Sequence, residues 1–406
     1  MKSNILRTLL FGLIISLTFA SCSKTIVIQS GDLQIEFNNK MYSRVNSLSS
    51  DAQTLCETFQ PTEQIETKKF ILSDFKISGT TTNTLVDKIG KGSETIITGS
   101  SQNDGKCMIK IVRVKTYDEI PGIAIFDVCY VNCGNENLLV NKWINNQYEI
   151  SQGTDTSGFW SFQGSSSSER ADWVLPVKKG FYQRNFMGMN QSDYGGGIPV
   201  TDIWRRDAGI AVGHLEMIPR EVSLPVDFDQ YSDNTRVGVE YEFNKPLELM
   251  AGDTLKTFQT FVSVHKGDYY ASLKLFSEIM QAKGIKFAES EPAAFESVWC
   301  GWGYERKFTA ENIIKTLPKV KELGIKWAGI DDGFQIAEGD WRVDTKRFPG
   351  GSKDMKRMVD AIHAQGLKAV LWWAPLAADP GSKVIEENPD ILLINRDGAP
   401  QFITWW

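Results

Sequence analysis

The chain has 406 residues, 42% of them hydrophobic and 23% charged, with a formal net charge of −6. That length suits about one to three domains of ordinary globular composition. The negative balance disfavours a nucleic-acid partner, which needs a basic surface, and the three histidines, His214, His265 and His363, stand too far apart to suggest a histidine metal site or a Ser-His-Asp triad.

Lys2 and Arg7 flank the start of an apolar run from Leu9 to Ala20. The run falls short of the roughly 20 apolar residues a spanning helix needs and fits the core of a secretory signal over residues 1–21. Phe19-Ala20-Ser21-Cys22 resembles a bacterial lipobox, whose cysteine is lipidated after cleavage, with Phe19 where leucine is usual. That resemblance implies an exported protein held by acyl chains on Cys22 at a cell-envelope membrane, on the outer membrane or the periplasmic face. A plain cleaved signal is the alternative. Cys56, Cys107, Cys129, Cys133 and Cys300 remain, an odd number without zinc-type spacing. One disulfide among the first four fits an oxidising compartment, and the spacing leaves its pairing open.

Residues 24–266 read as many short strands broken by Gly, Asn, Asp and Ser. Val237, Val239, Tyr241 and Phe243 alternate with Gly238, Glu240 and Glu242, the two-residue period of a half-buried strand. Gly122 to Val131 and Leu255 to Val264 are further β-rich runs. Helical periodicity is nearly absent, so a large antiparallel sandwich is expected. The stretches Gly164-Ser165-Ser166-Ser167-Ser168 and Gly195-Gly196-Gly197 read as turns or surface excursions.

Residues 267–292 form a linking segment, with Leu273, Phe276, Ile279 and Met280 making a helical stripe that Gly284 closes. Over residues 293–406 the pattern becomes strand, helix, strand, helix. Ser297 to Trp302 is an apolar strand. Thr309 can cap a helix bearing Ile313, Ile314, Leu317, Val320 and Leu323 and stopped by Gly324, with Pro318 expected to kink it. Lys326 to Ile330 is a second strand. Ser352 can cap a second helix, with Met355, Met358, Val359 and Ile362 on one face and Gly366 as its stop. Leu367 to Trp373 is a third strand, apolar enough to be buried on both faces. Pro380 to Asn388 reads as a third helix. This is βαβαβα, the signature of a parallel sheet, either barrel or doubly wound.

Three strand ends are chemically loaded. They give Trp299-Cys300-Gly301-Trp302, then Asp331-Asp332-Gly333-Phe334 with Gly339-Asp340-Trp341 in the following loop, then Trp372-Trp373-Ala374-Pro375. Paired carboxylates accept hydrogen bonds from sugar hydroxyls, and indole faces cover the C–H face of a pyranose. Each residue type also has a structural use, the aspartates capping turns and the tryptophans filling core.

These motifs, with Lys346-Arg347-Phe348-Pro349-Gly350 and Gly366-Leu367-Lys368-Ala369-Val370-Leu371-Trp372, resemble the α-galactosidase and raffinose-synthase families of melibiase type, glycoside hydrolase clan D. The family pattern runs W-x-x-W, D-D-G-W/F, G-D-W, K-F-P-x-G, then G-x-x-x-G-L-W. The resemblance spans about Ser297 to Pro389 and implies a β-supersandwich followed by a (β/α)8 barrel, of which the first three or so βα units lie within this chain. It implies that Asp331 and Asp332 hold galactose hydroxyls and that Trp302, Trp299, Trp341, Trp372 and Trp373 line the same pocket. No cofactor or metal is implied; the partner is a galactose-containing oligosaccharide or polysaccharide. Trp373-Ala374-Pro375 departs from the Trp/Phe-x-Glu-Pro common after the third strand, and Arg396 is only a loose match to an arginine expected shortly after Asn388-Pro389-Asp390. The nucleophile, in a Lys-x-Asp motif on a fourth strand, and the acid/base of these retaining enzymes lie beyond Trp406 on this pattern. The expectation is a truncated, inactive form of a galactoside hydrolase. Galactosyl transfer of raffinose-synthase type and non-catalytic glycan binding by a surface lipoprotein are the alternatives.

Overall fold

A computed structural model describes residues 25–49, 54–103, 106–153, 158–164, 173–184, 186–187, 198–218, 220–286, 288–394 and 398–401. The signal, Cys22, Arg396 and most of the two Gly/Ser-rich excursions lie outside the described residues. The chain divides into two compact units after residue 286.

The first unit is almost wholly antiparallel β. Its larger sheet runs Val174–Pro176, Trp160–Gln163, Val200–Trp204, Gly209–His214, Thr260–His265, Ile123–Asn132, Lys106–Tyr117, Lys91–Asn103 and Lys76–Val86, with Thr254–Lys256 also on Ile123–Asn132. A second sheet centres on Leu138–Ser151 and Asn234–Leu249, and a three-stranded sheet joins Ile26–Ser30, Leu33–Phe37 and Ser43–Ser47. Alternation explains the shared core: Val112, Val114, Phe126, Val128, Val140, Tyr148, Val237 and Val239 are all buried in one cluster. The strands are longer than the sequence suggested, reaching 16 residues in Asn234–Leu249. Lys76–Val86 escaped recognition because its Thr-rich sequence is exposed over nearly all its length and offers no apolar period. Leu255 to Val264 divides into two strands, Thr254–Lys256 and Thr260–His265, both paired to Ile123–Asn132. A disulfide joins Cys107 to Cys133.

The helix Tyr269–Lys283 starts at Asp268, whose side chain accepts from the Tyr270 N–H, and ends at Gly284 with φ 114°. Its apolar stripe, Leu273, Phe276, Ile279 and Met280, packs with Ile125, Ala211 and Phe261 of the larger sheet. The helix thus belongs to the first unit's hydrophobic packing.

In the second unit, Val298–Cys300, Trp327–Ile330 and Lys368–Leu371 form a parallel sheet in sequence order. The helices Ala310–Glu322 and Ser352–Ala364 connect them. Ile313, Leu317 and Val320 of one helix and Met358 and Ile362 of the other join Phe308, Ala328, Ile330, Phe334, Phe348 and Leu367 in one core. Thr309 makes a full capping box with Asn312. That helix continues through Pro318 to Glu322. Ser352 is the first helical residue and not the cap, which is Gly351 at φ 56° without a side-chain bond; the Asp354 carboxylate instead accepts from the Gly350 N–H at 2.8 Å. The third helix is only Lys383–Glu387.

The third strand is not buried on both faces. It pairs with Trp327–Ile330 on one side, and Val370 and Leu371 are exposed. At the amino ends of the strands, the Glu296 carboxylate accepts from the Trp327 indole at 2.7 Å and from Lys368 at 2.8 Å.

Candidate functional site

Parallel strands deliver their carboxyl ends to one edge, so the residues after Cys300, Ile330 and Leu371 converge there. Asp331 follows the central strand directly and is part-buried, whereas Asp332 is only 2% exposed. The next residue must be glycine. Gly333 has φ 117°, and a Cβ there would stand 2.9 Å from the Arg306 Cα and 2.9 Å from the Arg347 guanidinium.

Each carboxylate is oriented by neighbours. Asp331 Oδ1 accepts from the Asp332 N–H at 2.7 Å, and its Oδ2 accepts from the Cys300 thiol at 2.7 Å. Burial, then this bond to Asp331, pushes the Cys300 thiol pKa up and keeps it protonated as a donor. Asp332 Oδ2 accepts from Arg306 at 2.7 Å, and Oδ1 accepts from the Gln335 amide at 2.6 Å. The same Gln335 side chain accepts from the Gly333 N–H at 3.0 Å, closing the turn on itself. A buried carboxylate without such partners would be costly; here both oxygens are satisfied.

Arg306 reaches further, donating to Glu338 Oε1 at 3.1 Å. Burial raises the Glu338 pKa first, and the charges of Asp379 and Asp332 add to it, while Arg306 opposes them. Glu338 is also tied to the loop after the third strand: its N–H donates to Asp379 Oδ2 and its carbonyl accepts from the Asp379 N–H, both at 2.9 Å. Arg347 donates to the carbonyls of both Arg306 and Gly333, at 2.5 Å for the latter. Glu305, just before Arg306, has φ 52° and ψ −153°, a strained conformation worth about 1–3 kcal/mol that persists only when its surroundings fix it.

The sequence-predicted tryptophans divide. Trp341 meets Trp372 with ring centroids 5.9 Å apart and Trp373 at 6.4 Å, forming an indole cluster between the second and third strand-end loops. Trp373 is 64% exposed, and Trp302, after the first strand, is 37% exposed. Trp299 does not join them. It is partly buried and packs against the core of the second unit, as Trp341 also does. Sequence reasoning assigns no site role to Arg306, Gln335, Glu338, Asp379 or Arg347, the last of which stands only within the Lys346–Gly350 motif. Only their position signalled them, in loops that leave strand ends, where site residues concentrate.

One unit thus holds a parallel βα layer with carboxylates and indoles at its strand ends, and the other is built almost wholly of antiparallel sheets. Residues 274–402 match the Melibiase family model. The chain is 28% identical over 320 residues to an "A type blood alpha-D-galactosamine galactosaminidase" of Flavonifractor plautii, covering 77% of this chain and 28% of that protein. An α-galactosidase structure from Lactobacillus brevis shares the fold at TM-score 0.53 and 14% identity, over 94% of this chain and 58% of that one. A variant of the α-galactosidase AgaA of Geobacillus stearothermophilus, solved in complex with stachyose, gives TM-score 0.52 and 13% identity, over 92% and 60%. The chain is thus similar to melibiase-type, GH36-like α-galactosidases, which are glycosidases, and it spans less than two thirds of the length of these relatives.

Proposed function

We propose that the carboxyl edge of the parallel sheet binds the galactosyl group of an α-galactoside, and that this sheet is the opening part of a (β/α)8 barrel in a retaining α-galactosidase. The observation that carries the reading is the emergence of Asp331 and Asp332 at the central strand end, oriented by Cys300 and Arg306 on the edge where Trp372 and Trp373 also emerge. Carboxylates so held accept hydrogen bonds from vicinal sugar hydroxyls, and the Trp341–Trp372–Trp373 cluster offers apolar faces for the C–H side of the ring. The stachyose complex of the related fold supports an α-galactosyl oligosaccharide as ligand.

Retaining hydrolysis needs a nucleophile and an acid/base about 5–5.5 Å apart. Asp331 and Asp332 are assigned to sugar binding, and neither is assigned to that pair. A second reading, an α-linked galactosamine as substrate, is favoured by the name of the F. plautii relative. An NMR titration with galactose, glucose and galactosamine separates the readings. Preference for galactose over its C4 epimer supports the first, preference for the amino sugar the second, and no saturable binding of any removes both. Turnover of an aryl α-galactoside tests whether the 406-residue chain also catalyses, and product analysis with sucrose as acceptor separates hydrolysis from galactosyl transfer.

Export and lipidation at Cys22 are part of the proposal. Metabolic labelling with a fatty acid should mark the wild-type protein and spare Cys22→Ser; equal labelling would remove the anchor.

A further inference from the structure

The Arg306 side chain joins the loops after the first two strands, and the residue it holds, Glu338, is bonded to the loop after the third. Arg306 leaves the 3-10 segment after the first strand, and its guanidinium grips Asp332 at 2.7 Å and Glu338 at 3.1 Å, both in the loop after the second strand. Glu338 is in turn bonded through its own backbone, in both directions, to Asp379 in the loop after the third strand. The Arg306 guanidinium is partly exposed while the Asp332 carboxylate is almost wholly buried, so Asp332 depends on the arginine more than the arginine depends on it.

The local backbone is built for this contact. Glu305 turns at positive φ immediately before Arg306. The Arg347 guanidinium pins the Arg306 carbonyl and the Gly333 carbonyl together, which locks the arginine-bearing loop to the aspartate-bearing turn. Gly333 allows that approach because it has no Cβ.

We propose that Arg306 is a positioning residue for the sugar site: it fixes the Asp332 carboxylate and, through Glu338, the register of the loops that follow all three strands. This rests on the galactosyl-binding reading given above. A guanidinium is suited to the task because its planar fork can serve two carboxylates at once, which a lysine ammonium on a flexible stem does poorly.

The test uses the full chain with Arg306→Met, Arg306→Lys and Glu338→Gln, and galactose as the probe in calorimetry. Arg306→Met should weaken galactose binding by about tenfold or more, as expected when a site group is displaced by a fraction of an ångström. Its thermal midpoint should also fall, because the buried Asp332 carboxylate loses its charged partner, so affinities are compared at a temperature where every variant is fully folded. Arg306→Lys should recover part of the affinity, restoring the charge without the fork. Glu338→Gln keeps the shape, leaves Asp332 untouched and should weaken binding by a smaller factor. Wild-type affinity in fully folded Arg306→Met, or equal affinity in fully folded Arg306→Met and Arg306→Lys, would overturn the proposal. If the wild-type chain binds no galactose, the galactosyl reading fails by itself. Positioning is then read from amide hydrogen exchange at Asp332 and Gly333, whose N–H groups are held inside the turn. That exchange should quicken by about tenfold in Arg306→Met, and unchanged exchange would remove the positioning role.

Discussion

His214 offers a sharp test of the first unit's interior. It closes the strand Gly209–His214, is 3% exposed, and accepts a hydrogen bond at Nδ1 from the Glu216 N–H at 3.3 Å. An imidazole accepting at Nδ1 is neutral and carries its proton on Nε2. Burial, and then the positive charge of Arg220, lowers its pKa from 6.5 to about 4. The folded value lies below the unfolded one, so folding favours the neutral ring. The contribution is complete above pH 6.5 and is lost as pH falls toward 4. At about 1.4 kcal/mol per pH unit, that interval is worth up to about 3 kcal/mol. Urea unfolding of the wild type and His214→Gln, at about pH 7 and about pH 4.5, isolates it, because the carboxylates titrate alike in both proteins. The wild type should lose about 2–3 kcal/mol more than the variant on acidification. Parallel losses in the two proteins would mean that His214 is not held neutral by burial.

His265 should behave with the opposite sign. Burial pulls its pKa down, but the charge and 2.9 Å hydrogen bond of Asp202 prevail and raise it, so its contribution is present below pH 6.5 and fades as pH rises through the folded value. The stability gap between wild type and His265→Gln should narrow on raising the pH from about 6 to about 8, and a constant gap in urea midpoints would contradict it. Cys107 and Cys133 are 26 residues apart, so replacing both by serine should cost about 3–4 kcal/mol by loop entropy, read in urea; an unchanged midpoint would exclude the bond. Phe348, 1% exposed and 5.7 Å from Phe308 by ring centroids, is core, so Phe348→Ala should destabilise the second unit by about 3–5 kcal/mol in the same assay.

Helix faces and caps were legible because their signals are local. Ile313, Leu317 and Val320 recur at helical spacing, Thr309 precedes them, and Gly324 and Gly366 take the positive φ that ends each helix. The aspartate pair was legible for a related reason: a short apolar strand ending in Asp-Asp-Gly has little choice but to turn there. What escaped depends on contacts distant in sequence. Arg306 is one of many arginines until the fold sets it against Asp332, 26 residues on. Lys110 sits wholly buried in alternation with Met108 and Val112, its ammonium held by the Glu63 carbonyl at 3.0 Å and lying 4.5 Å from the Phe75 ring, a pattern a reading by hydrophobicity discards.

On the proposed reading, Asp331 and its neighbours hold a galactosyl group. Calorimetric titration of galactose into the wild-type chain and into Asp331→Asn tests it most directly. The wild type should bind saturably and the variant at least about tenfold more weakly, since an amide cannot replace a carboxylate as acceptor from both a sugar hydroxyl and Cys300. Equal affinity in the two proteins, or no heat from either, would contradict it.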